Sequence, residues 1–116
     1  MSEIGEHIRK RREALRTTDK AFSLRQVAQR VKVEPSYLSK VERGLEVPSE
    51  ATVRRIAEEL GANPDVLLAL AGKVSSDLQQ VIRKRPELFA QLIRDLAQLP
   101  DHAVLRVVRE VRDGTW

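Results

Sequence analysis

The chain has 116 residues and a net charge of +4, a length that suits one domain with a short appendage. It contains no cysteine, which excludes a disulfide framework, a zinc finger and a thiol nucleophile. No apolar run approaches the roughly 20 residues that span a bilayer, and the N-terminal segment lacks the apolar stretch of a signal peptide. We therefore expect a cytoplasmic protein that does not contact a membrane.

The positive charge is concentrated in one part of the chain. Residues 9–43 carry eleven Lys and Arg against four Asp and Glu, whereas residues 44–72 carry two against five. A basic region of this strength could face nucleic acid. It could equally be a set of helix faces solvated by Lys and Arg, and charge alone leaves both interpretations open.

The spacing of apolar residues predicts helices throughout, without the alternating pattern of a strand. We expect Ser2 to cap the first helix, with Ile4, Ile8 and Leu15 on one side of it. The polar segment 17–20 is expected to be a loop.

Two short helices with a very short connection follow this loop. The first is capped by Ser23 and ends at Val31, and the second starts at Pro35 and ends at Arg43, with Gly44 as the stop. The second helix exposes short polar groups, one ring and one cation, so it could enter a DNA major groove, which is roughly 12 Å wide. These exposed positions are Pro35, Ser36, Tyr37, Ser39 and Lys40.

Two more helices complete a five-helix block that ends at Gly72. The fourth helix is set up by Ser49 and ends at Gly61, and the fifth opens at residues 63–64. Along the fifth helix, the residues expected to point inward are Val66, Leu67 and Leu70.

Residues 73–116 form a second block, for which we predict two or three helices. Ser76 or Asp77 is expected to cap one helix, Pro86 to start the next, and Asp101 to cap the last. A block of this length is too short for a comfortable core, so it should pack on the first five helices or on another copy of itself. The apolar residues expected to form a dimer or partner interface are Leu88, Leu92, Leu96, Val104, Val107 and Val111.

The basic helix pair resembles a known family. The stretch from Ser23 to Ser49, SLRQVAQRVKVEPSYLSKVERGLEVPS, resembles the helix-turn-helix of the XRE family of DNA-binding proteins, which includes the lambda and Cro repressors. The segments IGEHIRKRREAL and LGANPDVLLALAG fit the same pattern, so the resemblance covers residues 3–72. It implies an all-α fold, with a five-helix lambda-repressor-like DNA-binding domain over residues 1–72 and a helical extension over residues 73–116.

The resemblance also implies which residues contact DNA. The helix that starts at Pro35 would lie in the major groove, where Lys40 is the best candidate for reading guanine. Arg12 would pair with Glu42 and support this helix without reading DNA. Base edges would be contacted by Glu34, Pro35, Ser36, Ser39 and Lys40, and phosphates by Ser23, Arg25, Tyr37 and Arg43.

Lys32 and Glu34 are among the positions that depart from the family pattern. Many relatives carry glycine where Lys32 stands, so this turn should either avoid the left-handed backbone conformation or adopt it with some strain. Glu34 would repel phosphate, although its carboxylate could accept a hydrogen bond from a cytosine amino group. Both departures bear on the target sequence and leave the docking mode unchanged.

These observations predict a homodimeric transcriptional repressor that binds a palindromic operator in double-stranded DNA without a cofactor. His7 and His102 lack the neighbouring ligands of a metal site, and no nucleophile stands beside a base, so we expect no enzyme. The alternative is an antitoxin or adaptor of a two-gene cassette, whose C-terminal helices bind a protein partner while DNA binding serves autoregulation. Trp116 could dock on a partner or fray, and docking is favoured because a lone exposed tryptophan lowers solubility.

Overall fold

The computed structural model describes residues 3–116, and the all-α fold predicted from the sequence is confirmed. Ser2, the predicted cap of the first helix, lies outside the described residues. No helix within residues 3–116 is both long and apolar enough to cross a membrane. The helices are α1 (Glu3–Arg16), α2 (Leu24–Val31), α3 (Pro35–Glu42), α4 (Glu50–Leu60), α5 (Pro64–Leu70), α6 (Ser76–Lys84), α7 (Pro86–Leu96) and α8 (Asp101–Asp113).

The chain divides into two compact units. The first runs to Ser75 and contains α1 to α5, and the second, Ser76–Trp116, contains α6 to α8. The division falls shortly after Gly72, where the sequence analysis places the domain boundary.

Helices α1 to α5 enclose one apolar core. Each of these helices contributes side chains without exposed surface, at positions that recur with helical spacing. The core therefore follows directly from one apolar stripe per helix. Its fully buried members include Ile8, Val27, Leu38, Ile56 and Leu67.

The face that α5 buries differs from the prediction. Val66, expected to point inward, is exposed, Leu70 is only half-buried, and Leu68 is buried beside Leu67. A helix of seven residues makes fewer than two turns, so its apolar spacing is compatible with more than one buried face. Contacts with α1 and α4 select Leu67 and Leu68.

Most helix starts in the first unit are set by the predicted caps. The Ser23 hydroxyl accepts a hydrogen bond from the Gln26 N–H at 3.3 Å, and the Asn63 side chain accepts from the Asp65 N–H at 2.9 Å. The loop after α1 is more structured than predicted, since Lys20–Phe22 forms a 3-10 turn capped by Asp19. Each cap satisfies a backbone N–H that the helix itself leaves without a partner.

In the second unit, the predicted caps of α6 and α8 are wrong by a short register shift. Ser76 and Asp77 both lie within α6, and Asp101 is the first residue of α8. Pro100 occupies the N-cap of α8 in an extended conformation, and its side chain offers no acceptor for a cap hydrogen bond. Pro86 starts α7 as predicted.

Helices α6 to α8 contain no buried residue among those described. Of the six apolar residues predicted as an interface, Leu96, Val104 and Val107 are half-buried. The other three are exposed: Leu88 by 70%, Val111 by 61% and Leu92 by 44%. The second unit therefore leaves a substantial apolar surface uncovered.

Residues 114–116 fold back on the C-terminal end of α8. The Trp116 indole N–H donates to the Val111 carbonyl at 3.3 Å, while 93% of the residue's surface stays exposed. Glycine at position 114 permits this conformation, because a Cβ there would lie 2.7 Å from the indole ring and 2.5 Å from the Glu110 carbonyl oxygen.

Candidate nucleic-acid interface

The turn between α2 and α3 adopts the left-handed conformation at Lys32, with φ 66° and ψ 42°. The Val33 N–H donates to the Ala28 carbonyl at 3.0 Å, which closes the end of α2 against the turn. Ala28 and Val31 are buried and Val33 is half-buried, so the turn packs on the core. A lysine with a left-handed backbone is unusual, and the surrounding contacts hold it there.

Helix α3 has sharply defined ends. Pro35 occupies its first turn and has no N–H to satisfy, and Glu34 is the N-cap without a side-chain hydrogen bond. At the other end Gly44 has φ 79°, and the Leu45 N–H donates to the Lys40 carbonyl at 2.8 Å. This left-handed stop confirms the role predicted for Gly44.

One side of α3 is fixed to the core and the other is open. Leu38 and Val41 are fully buried, and Tyr37 packs against the same core with part of its ring. The residues predicted to read bases therefore differ in exposure: Glu34, Ser36 and Lys40 are exposed, whereas Pro35 and Ser39 are half-buried.

A buried ion pair ties α1 to α3. Arg12 donates to Glu42 through Nε at 2.7 Å and through Nη2 at 3.0 Å, and its Nη1 donates to the Phe22 carbonyl at 3.3 Å. Both side chains are almost completely buried. The hydrogen bond to Glu42 raises the pKa of Arg12, although burial acts in the opposite direction. The pair therefore fixes α3 against α1.

Two other arginines of the basic region also hold the fold together. Arg11 donates to the Leu60 carbonyl at the end of α4, at 2.8 Å. Arg30 pairs with Glu59 at 2.7 Å and lies 5.3 Å from the centre of the Phe22 ring. Sequence reasoning counted these cations toward DNA binding, and no local spacing reveals partners so distant along the chain.

The residues predicted to contact phosphates lie at the start of α2 and on or at the end of α3. Arg25 is exposed near the start of α2, where the Ser23 hydroxyl acts as the cap. Arg43 is exposed at the end of α3, and its Nε lies 3.4 Å from the Ser39 carbonyl. Tyr37 is half-buried and packs against the core.

A depression of about 240 Å³ lies between α1 and α3. The buried Arg12 and Glu42 are among its lining residues, together with Leu24, Ser39, Arg43, Arg9 and Glu13. Arg9 and Glu13 form an exposed ion pair, with Nε and Oε1 3.2 Å apart. Sequence reasoning missed this depression, because its residues come from three different helices.

Within residues 3–116, no cluster of three or more His, Cys, Asp or Glu side chains could hold a metal ion.

Two solved structures show partial similarity to the chain. One is the clp gene regulator ClgR from Corynebacterium glutamicum, with a TM-score of 0.44, 26% identity and coverage of 78% of this chain and 89% of that one. The other is a SinR–SinI protein complex, with a TM-score of 0.48, 23% identity and coverage of 82% and 95%.

Sequence comparison assigns the first unit to a family. Over 68 residues the chain is 42% identical to proteins of two Mycobacterium tuberculosis strains, CDC 1551 and H37Rv, each named as an uncharacterized HTH-type transcriptional regulator. The match covers 59% of this chain and 45% of each relative, so it spans less than half the length of these proteins. A family model described as a helix-turn-helix domain matches residues 3–71. The chain therefore belongs to the helix-turn-helix domain family, which confirms the membership predicted from its sequence.

Proposed function

We propose that the chain binds double-stranded DNA sequence-specifically and regulates transcription. The observation that carries this proposal is the open polar face of α3 on a rigid support. The buried Arg12–Glu42 pair and the packed Leu38 and Val41 hold α3 in place, while Ser36 and Lys40 remain exposed. A helix presented in this way can enter the major groove without steric obstruction.

Base reading is assigned to the exposed end and edge of α3. Lys40 donates to guanine O6 or N7, and Ser36 can donate or accept. Glu34 accepts from a cytosine amino group, and its exposed carboxylate at the N-cap has no competing cap hydrogen bond. Pro35 and Ser39, which are half-buried, contribute shape and a hydroxyl at the margin of this surface.

Phosphate contacts are assigned to the flanks of α2 and α3. Arg25 and Arg43 supply charge, and the hydroxyls of Ser23 and Tyr37 can donate to phosphate oxygens. Because Arg12 and Arg30 are paired with carboxylates within the fold, the salt dependence of binding should reflect the remaining cations.

The proposed regulator is a homodimeric repressor whose second units associate. The exposed Leu88, Leu92 and Val111 lie on helices without buried residues, and burying them in a second copy removes apolar surface from water. Two identical subunits would then place two α3 helices on the half-sites of a palindromic operator.

Sedimentation velocity tests this association. Leu88→Glu should shift the full-length protein toward monomer, whereas Leu45→Glu, which adds the same charge to an exposed leucine of the first unit, should leave its assembly unchanged. Identical sedimentation of both variants and the parent would contradict the proposed interface. A stable complex with a different protein through Leu88 would instead favour the adaptor or antitoxin role.

In vitro selection from a random duplex library, at physiological salt and with the full-length chain, tests DNA reading. The expected product is a palindrome with half-sites about 10 bp apart. If no sequence is enriched and only weak, salt-sensitive binding remains, the chain does not read DNA by itself.

A further inference from the structure

We propose that the depression between α1 and α3 binds a phosphate of the DNA backbone, and that Glu13 competes with this phosphate for Arg9. The inference rests on the proposed function and adds a phosphate contact on α1. It also assigns an inhibitory role to a carboxylate of the same chain.

The position of the depression beside α3 supports a contact with a DNA phosphate. An α-helix with its side chains is about 10–12 Å across, which nearly fills a major groove roughly 12 Å wide. The two sugar–phosphate backbones therefore run directly along the flanks of a helix seated in the groove. Ser39 and Arg43 lie on one flank of α3, and both line the depression.

The positive charge around the depression also supports a contact with a phosphate. Arg43 is exposed on the α3 side and Arg9 on the α1 side. The Arg12 guanidinium also lines the depression, but it is paired with Glu42 and almost completely buried, so Arg9 and Arg43 are the exposed cations there. Two guanidinium groups thus face a space of about 240 Å³, far larger than the roughly 30 Å³ share of one water molecule.

Glu13 is the group that competes with the phosphate for Arg9. Its carboxylate lies 3.2 Å from the Arg9 Nε, and both side chains are 51% exposed. An exposed ion pair between residues four apart on a helix is weak, so Arg9 can exchange it for a phosphate. While Arg9 is paired with Glu13, its positive charge is compensated by that carboxylate. Once Arg9 binds a phosphate instead, the negative charge of Glu13 remains close to the DNA.

The test measures DNA affinity across a series of salt concentrations for Arg9→Gln, Glu13→Gln and the double variant. Arg9→Gln should reduce the steepness of log K against log salt by about 0.9, the contribution of one phosphate contact. Glu13→Gln should tighten binding about twofold, as expected for removal of a weak competing pair. This gain should disappear when Arg9 is also replaced.

Glu58→Gln is the matched control, because it removes one exposed negative charge on α4 outside the depression. The gain in DNA affinity from Glu13→Gln could equal the gain from Glu58→Gln, or it could persist when Arg9 is also replaced. Either result would show that net charge causes the gain and would overturn the proposed competition for Arg9. An unchanged salt slope for Arg9→Gln would overturn the phosphate contact.

Two further results separate this inference from its alternatives. If the parent protein shows no salt-dependent DNA binding, the proposed function itself fails, whereas a normal parent slope with unaltered variants refutes only the Arg9 site. Inorganic phosphate, added at constant ionic strength, should not displace DNA from the parent more than from Arg9→Gln. Selective displacement would identify a site for free phosphate and overturn the assignment to the DNA backbone.

Discussion

At the scale of single residues, Lys40 combines exposure with a fixed backbone position. Its carbonyl accepts the Leu45 N–H at 2.8 Å in the stop of α3, so the residue stays on a regular helix while its side chain faces outward. We expect Lys40→Ala to cost about 1–3 kcal/mol on the selected operator and to relax specificity at one base pair. Affinity measured on single-base operator variants checks this. Uniform weakening on every sequence would place Lys40 on a phosphate instead.

The left-handed backbone conformation of Lys32 has an unfavourable free energy. A non-glycine residue in the left-handed region costs about 1–2 kcal/mol, and glycine loses about 0.5–1 kcal/mol more entropy on folding than alanine. With φ at 66°, Lys32→Gly should therefore raise the free energy of unfolding by about 0.5–1 kcal/mol.

Urea unfolding of Lys32→Gly and Lys32→Ala checks this prediction. Alanine removes the same charged side chain but keeps the Cβ that makes the left-handed conformation unfavourable. If both variants are equally stable, backbone conformation is not the source of the gain.

At the scale of helices, the Arg12–Glu42 pair decides how firmly α3 is held. Glu42→Gln would leave the Arg12 charge buried without its counterion, and such losses cost about 3–5 kcal/mol. This is a large share of the roughly 5–15 kcal/mol that stabilises a domain, so thermal and urea unfolding should both show a marked loss.

A double replacement, Arg12→Met with Glu42→Leu, controls for the buried charge. It should recover much of the stability lost in Glu42→Gln, since neither buried charge remains. A double variant that is less stable than Glu42→Gln would show that packing, and not the unpaired charge, dominates at this position.

The raised pKa of Arg12 also determines the sign of its pH dependence. A group whose pKa is higher in the folded state contributes its full stability at every pH below its unfolded pKa, and it loses this stability only as the pH rises through the folded pKa. The ionisation of Arg12 should therefore leave the unfolding free energy unchanged at every pH below that range.

At the scale of the whole molecule, the two units differ in how they are stabilised. Every buried apolar side chain among the described residues lies between Ile4 and Leu68, and Ser75 closes the first unit. A fragment of residues 1–75 should consequently fold by itself and unfold within a few degrees of the first unit in the full chain. Calorimetry of the fragment and of the full chain checks this. An unfolded fragment would mean that α6 to α8 contribute to the core.

The sequence by itself determined the family, the all-α fold, the two short helices around the turn and the open polar face of α3. These features depend on apolar spacing, on the caps Ser23 and Asn63, and on Gly44, all of which act within a few residues. Only the tertiary structure decided which cations are bonded to distant parts of the chain, because Arg11 and Arg30 find partners 49 and 29 residues away. It also decided the buried face of α5 and the depression beside Arg9, since both depend on how separate helices pack together.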